Sequence, residues 1–371
     1  MNLSYWEIKS WFTNIDYTIV GSGIVGLSCA LRLKERFPKA HILVLEKGTL
    51  PQGASTKNAG FACFGSLSEI LDDLTTHSKP EVFEIVKKRV EGLHLLRKTL
   101  GDKNINYLQY GGYELFSKDD TTLFEQCLAQ KEEINTFLKP LFNEDVFSLK
   151  ENRFGFKNIQ ERSIFNPFEG QIDTGMMMKA LLEKAQNKGI QILNNIMVEE
   201  YQELQNSVSV KTNLLEFSTS KLLIATNGFA SQLIREQVKP ARAQVLITKP
   251  IINLHIKGTF HLDKGYYYFR NVDDRILFGG GRNLDFKGEE TTSFEQTELI
   301  QNTLEHLLKT TILPNIPFEI EHRWSGIMGV GNQKKAIVKS LSNNVFCGVR
   351  LGGMGVAIGS IIGNDLAELI N

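Results

Sequence analysis

Long hydrophobic runs are missing from this chain. No apolar stretch approaches the roughly 20 residues that a membrane-spanning helix needs. The opening MNLSYWEIKSWFTNID carries Trp, Glu and Lys where a secretory leader needs a continuous apolar segment, so a cytoplasmic location is expected. Charge of one sign is also lacking: 42 basic residues balance 42 acidic ones, and no basic block stands out. Nucleic acid is therefore not an expected partner. Cysteine is scarce. Cys29, Cys63, Cys127 and Cys347 are scattered without CxxC spacing, which argues against a disulfide framework and against a metal site, and fits a reducing compartment. Proline and glycine are too few for disorder, and no internal repeat is visible. With 371 residues, the chain is too long for one ordinary core, so two domains are expected.

Tyr17 to Glu46 organises the rest. An apolar run, Tyr17 to Val20, meets Gly21, Gly23 and Gly26; a helix-like segment follows to about Phe37, and a second apolar run ends at Glu46. Strand, glycine-rich turn, helix, strand and acid together form the fingerprint of an adenine-dinucleotide site. Gly21 serves the tight turn, Gly23 the approach of a pyrophosphate, and Gly26 the packing of helix on sheet. Ser22, Ile24 and Val25 complete the turn and the helix start, whose free N–H groups favour phosphate. Glu46, about 20 residues beyond the last glycine, suits a ribose hydroxyl, and Lys47 follows it.

The next stretch separates FAD from NAD. GTLPQGASTKNAGFACFGS, Gly48 to Ser66, has little helical or strand periodicity where a nicotinamide dehydrogenase has an ordinary βα unit. A long loop of small residues suits close backbone approach to a flat ligand. Gly53, Ala54, Ser55, Thr56, Asn58, Ala59, Gly60 and Phe61 are the cofactor candidates there.

At this point the sequence resembles the FAD-dependent amine and amino-acid oxidoreductases related to D-amino-acid oxidase, glycine oxidase and sarcosine oxidase. Four anchors carry the resemblance: GSGIVG with Glu46, the GASTKNAGFA loop, LLIATNG at Leu222 to Gly228, and the tail VFCGVRLGGMGVAIGSIIGNDLAELI. The loop is most similar to bacterial members, with more distant similarity to gamma-glutamylputrescine oxidase-like proteins. The resemblance implies noncovalent FAD on a Rossmann-like α/β domain with a parallel sheet. It also implies an interleaved α+β substrate domain with a mixed, largely antiparallel sheet. It places Val198 against the adenine and Ala225, Thr226, Asn227 and Gly228 near the ADP. Cys347 sits inside an expected strand and makes no convincing covalent attachment point.

The tail loop Arg350, Leu351, Gly352, Gly353, Met354, Gly355 and Val356 joins a strand to a helix. Its glycines and helix start suit the negative charge that a reduced flavin gathers at its N1–O2 edge.

Along the chain, residues 1–66, 168–238 and 321–371 are expected to build the FAD domain, and 67–167 and 239–320 the substrate domain. The N-terminal aromatics Tyr5, Trp6, Trp11 and Phe12 are expected to pack on the outside of the nucleotide domain. Tyr107 to Phe116 reads as a hairpin around Gly111-Gly112. Gly170 to Gly189 reads as a helix capped by Asp173 or Thr174, with Met176 to Met178 as ordinary packing. Ser293 to Lys309 reads as one helix.

Substrate-pocket candidates are Tyr266, Tyr268 and Arg270, which strand alternation puts on one face. Arg282, Arg323, Trp324, Met328 and Arg350 are further candidates, since an arginine fork matches a carboxylate. One departure from the family matters. The segment resembling Trp324 to Met328 ends, in many relatives, in a carboxylate-binding arginine; here Met328 stands there, and Lys335 and Ala336 lie near the positions of the usual Asp and Pro. Arg350 is a candidate replacement, or the substrate has no carboxylate beside its amine. His77, His94, His261 and His322 are isolated in the sequence and read as structural. The resemblance implies hydride transfer from the C–N unit of a small amine or amino acid to flavin N5, with O2 or another acceptor reoxidising the flavin. A flavin-dependent 2-hydroxy-acid or alcohol dehydrogenase, and an FAD-binding subunit of a larger assembly, remain as alternatives.

Overall fold

A computed structural model describes residues 3–370. Two eight-stranded sheets dominate it. The first orders its strands Ile337–Ser340, Val345–Val349, Glu216–Ile224, Ile15–Val20, Ile42–Leu45 and Gln191–Leu193; Val208–Thr212 and Val198–Glu203 extend it as an antiparallel flap. The five strands from Val345–Val349 to Gln191–Leu193 run parallel. Ile42–Leu45 and Val345–Val349 are buried throughout and read as continuous runs such as ILVL, as parallel strands covered by other layers do.

Helices Ile24–Arg36 and Gly355–Glu368 lie side by side on this sheet. Their close approach depends on small residues. A Cβ on Gly359 would sit 2.7 Å from the Ile24 side chain, and one on Gly363 would sit 2.6 Å from the Val25 carbonyl. Helix Lys79–Leu100 joins the same layer through Gly92, where a Cβ would lie 2.2 Å from the Ala357 carbonyl.

The second sheet runs Ile320–Val330, Lys239–Thr248, Arg275–Gly280, Tyr267–Val272, Thr259–Leu262, Gly112–Glu114, Arg162–Asn166 and Ser148–Glu151. All its pairs are antiparallel except Thr259–Leu262 with Gly112–Glu114. The α/β class and the mixed, largely antiparallel second sheet are therefore as the sequence indicates.

The pleat of this sheet divides its residues into two sets. Phe260, Phe269, Phe278 and Leu246 sit opposite one another in register and face outward into a core closed by helix Glu298–Leu307. Phe260 and Phe269 stack with centroids 4.5 Å apart. Their neighbours His261, Tyr268, Gly279, Val245 and Trp324 form the matching row on the other face, toward the first sheet.

Several expectations need correction. Gly112–Glu114 is not half of a local hairpin; it pairs with Thr259–Leu262 and Arg162–Asn166, because its hydrogen-bonding edges are claimed by distant strands. Ile320–Val330 pairs with Lys239–Thr248, so the return to the first sheet begins after residue 330 rather than at 321. Ser293 to Lys309 is not one helix: an α-helix covers Glu298–Leu307 and a π-turn follows over Leu308–Ile312. Of the N-terminal aromatics, only Phe12 packs inward; Tyr5 and Trp6 stay exposed on a short helix. Helix Thr174–Asn187 begins with Asp173 accepting the Met176 N–H at 2.8 Å, and Met177 and Met178 enter the core.

Candidate active site

One cavity of about 470 Å³ runs from the carboxyl ends of the parallel strands to the inner face of the second sheet. Ligands of open α/β sheets bind at those strand ends. Gly21 has φ +104°, a conformation that disfavours any side chain. It takes the Leu45 carbonyl at 2.8 Å, and Ala225 takes the Val20 carbonyl at 2.9 Å, so three strand ends are laced together under the cavity floor. Glu46 is buried and braces the turn. It accepts from the Ser22 N–H and hydroxyl at 3.2 and 2.9 Å, and from the N–H groups of Gly48 and Gln52 at 3.0 and 3.3 Å.

Gly21, Gly23, Ile24, Val25, Glu46 and Lys47 line this end of the cavity. Val198, Ala225, Thr226 and Asn227 close one side. The Gly48–Ser66 loop contributes Gly53, Ala54, Ser55, Asn58, Ala59, Gly60 and Phe61, and the tail contributes Leu351 to Val356. The Ser55 hydroxyl accepts the Ile24 N–H at 3.0 Å, which joins the loop to the helix start. Asn58 takes the Gly60 N–H at 2.8 Å and the Thr174 hydroxyl at 2.9 Å, and so fixes the loop's sharpest bend. Asn227 accepts the Leu351 N–H at 3.1 Å and ties the tail to the LLIATNG segment.

Ser22, Gly26, Thr56 and Gly228 are not on the wall; they pack behind it. A Cβ on Gly228 would meet the Met328 carbonyl at 2.6 Å, and Thr56 turns its hydroxyl to the Pro51 carbonyl at 2.5 Å.

The residues suit a dinucleotide carrying a flavin. Helices Ile24–Arg36 and Gly355–Glu368 both start at the wall without a cap from their N-cap residue. Although Ser55 takes the Ile24 N–H, the helix starts still present N–H groups and partial positive charge suited to phosphate and to an anionic ring edge. The Thr226 hydroxyl is buried without a partner at the same wall. Lys47 lies 3.9 Å from the Phe229 ring centroid, and burial lowers its pKa.

The substrate candidates separate. Tyr268 lines the cavity, edge-on to Phe61 with centroids 5.5 Å apart, and burial pushes its pKa to about 12. Tyr266 precedes the strand rather than belonging to it, and stands at the mouth beside Phe286. Met328 is on the wall. Arg270 is not available to a substrate. It is buried and donates to the carbonyls of Ala59, of Ile172 at 2.9 Å and of Asn271 at 3.1 Å, a pin under the Gly48–Ser66 loop. Burial lowers its pKa to about 10.

Arg323 lies in the outward-facing set and pairs with Glu305 at 2.6 Å and Gln301 at 2.7 Å. Trp324 faces inward but spends its indole N–H on the Lys57 carbonyl at 3.0 Å, behind the wall. Arg350, at φ +63°, turns away and donates to the Lys335 carbonyl at 3.1 and 3.0 Å.

The wall also holds residues that the sequence does not single out as pocket groups: Glu69, Lys264 and His261. Arg282 is there too, over Phe286 at 4.8 Å, with burial lowering its pKa. Lys264 pairs with Asp72 at 3.2 Å. Among the described residues Arg282 has no carboxylate within ion-pair distance. His261 is not isolated. Its Nε2 is 3.7 Å from the buried Glu169 carboxylate. Burial works against a charged ring, but Glu169 outweighs it and the His261 pKa is raised. Burial, then Glu169, drives the neighbouring Cys63 thiol well above its usual value.

Comparison with known proteins agrees with this geometry. A family model described as DAO, FAD dependent oxidoreductase, matches residues 16–369. A probable oxidoreductase OrdL of Haemophilus influenzae is 21% identical, over 96% of this chain and 82% of its own length. A mitochondrial L-2-hydroxyglutarate dehydrogenase of Bos taurus is 24% identical, over 76% of this chain and 64% of its own. The solved structure of a glycine oxidase from Geobacillus kaustophilus superposes with a TM-score of 0.75 at 18% identity, covering 96% of this chain and 95% of that one, and so shares the fold.

Proposed function

This chain belongs to the DAO family of FAD-dependent oxidoreductases, and on that premise we propose that it oxidises the C–N bond of a small amine or amino acid held over the flavin. FAD, when bound, would supply the chemistry as a hydride acceptor, and this chain's residues would align the donor C–H and keep water out. The observation that carries the reading is the continuity of the cavity. The same 470 Å³ space joins the uncapped helix starts, suited to ADP and the flavin edge, to the inner face of the second sheet with its Tyr268 and Met328 wall.

Such a wall suits a neutral amine. Gly21, Gly23 and Ser55 would hold the pyrophosphate, and the Asn58 to Phe61 bend and the Gly352 to Val356 turn would hold the ring of a noncovalent FAD. With Arg270, Arg323 and Arg350 turned to protein partners, Arg282 receives the carboxylate of an amino-acid substrate. No helix among the described residues is long and apolar enough to cross a membrane.

A second reading, oxidation of a 2-hydroxy acid, has the support of the bovine relative's name. One experiment separates the two. The purified protein is mixed anaerobically with amines, amino acids and 2-hydroxy acids while its visible spectrum is followed. Bleaching by amines or amino acids alone is expected. Bleaching by hydroxy acids alone would replace the first reading with the second, and a protein that never takes up flavin would sink both.

With an amino acid that bleaches the flavin, Arg282→Met is expected to raise KM about 10- to 100-fold, the loss of a charge-assisted contact of about 1.5–3 kcal/mol. Flavin content and Tm should not move, because Arg282 braces no buried carbonyl. An unchanged KM would remove Arg282 from the pocket's binding groups.

A further inference from the structure

We infer that Cys63, Glu169 and His261 form a binding site for one zinc ion in the wall of the cavity, independent of which substrate the enzyme takes. Their ligand atoms, a thiol sulfur, a carboxylate oxygen and a ring nitrogen, all lie within 4.8 Å of one another. The three lie close without a short hydrogen bond recorded between them. The 3.7 Å between His261 Nε2 and Glu169 Oε2 is too long for a hydrogen bond. Among the described residues His261 Nε2 is buried without a hydrogen-bond partner, and the Cys63 thiol makes only a long contact to the Thr259 hydroxyl at 4.0 Å, with the Glu169 carboxylate close by. Zinc bonds of about 2.0–2.3 Å at tetrahedral angles set neighbouring ligand atoms roughly 3.4–3.7 Å apart. The His–Glu separation is already of that size.

The scaffold is rigid. Cys63 follows the strand Phe61–Ala62, Glu169 precedes Gly170–Gln171, and these two strands pair with each other. His261 is on Thr259–Leu262 in the second sheet. Glu169 keeps Oε1 on the Phe64 N–H at 3.1 Å, which orients Oε2 toward the cluster, as outer partners of metal ligands do. Gly112 makes room for it, since a Cβ there would lie 1.9 Å from Oε2. Cys63 and His261 both line the cavity, so three protein ligands leave a fourth position open to it, the pattern of a zinc site that admits water or substrate. CxxC spacing could not reveal this site, because its members are 63, 169 and 261 in the chain.

The test is elemental analysis of flavin-loaded protein incubated with zinc and then dialysed against metal-free buffer. About one equivalent is expected in the wild type. Cys63→Ser and His261→Ala should fall below roughly a fifth of that while keeping their flavin absorbance, and Cys127→Ser should keep its zinc. Less than about a tenth of an equivalent in the wild type overturns the site. So does zinc retained by both flavin-loaded variants. If the variants fail to fold, zinc-edge X-ray absorption of the wild type still decides: one sulfur with nitrogen and oxygen neighbours supports the site, and a shell without sulfur overturns it.

Discussion

Gly26→Ala is expected to emerge from purification without flavin. A Cβ at Gly26 would lie 1.9 Å from the Gly21 carbonyl oxygen and 3.1 Å from its carbon. Both are backbone atoms of the turn proposed to hold the pyrophosphate, so no side chain can swing aside. Either the helix lifts off the sheet or the turn opens. Overpacking a dense core costs typically 1–3 kcal/mol, and here the displaced element is the cofactor cradle itself. Flavin occupancy should fall below about a tenth of wild type, with a Tm loss of several degrees. The ratio of visible to ultraviolet absorbance and a melting curve check both. Normal flavin content in this variant would show that the helix need not touch the turn.

Arg270→Met is the second large effect, and its signature separates two roles. The guanidinium satisfies the carbonyls of Ala59, Ile172 and Asn271. Each buried acceptor left bare costs about 1–3 kcal/mol. Gln171 still donates to the Asn271 carbonyl, so two carbonyls lose their donor and a stability loss of about 2 kcal/mol or more is expected, together with faster flavin release, because Ala59 lies in the loop proposed to hold the cofactor. Arg270→Lys should rescue little, since a single ammonium cannot reach three divergent carbonyls. Were Arg270 instead a substrate anchor, KM would rise while Tm and flavin content held steady. Denaturant melts and flavin retention on gel filtration distinguish the outcomes.

The nucleotide half was legible because its signals are local. The Gly21, Gly23 and Gly26 spacing, the run ending at Glu46 and the Asp173 cap each depend on residues within one or two elements. The substrate half was not, because its strands find partners far away. Gly111-Gly112 looked like a hairpin turn, yet the strand there pairs across to Thr259–Leu262 and Arg162–Asn166. Tyr268 and Arg270 do share a face by alternation, but one meets the cavity and the other lies under the loop. Adjacent Arg323 and Trp324 could never both point inward; which one does depends on the outer Phe260, Phe269 and Phe278 row. Arg350 is set by backbone shape: at φ +63° its side chain leaves the tail loop toward Lys335.

The chain passes between the two sheets four times: between residues 45 and 112, 166 and 191, 224 and 239, and 330 and 337. Neither sheet can be cut out as one contiguous piece. Helix Lys79–Leu100, from the segment between the sheets, is locked by Gly92 onto the helix that closes the flavin end. A ligand lodged between the sheets would then act as a thermodynamic keystone. Its binding free energy adds to the stability of both halves at once.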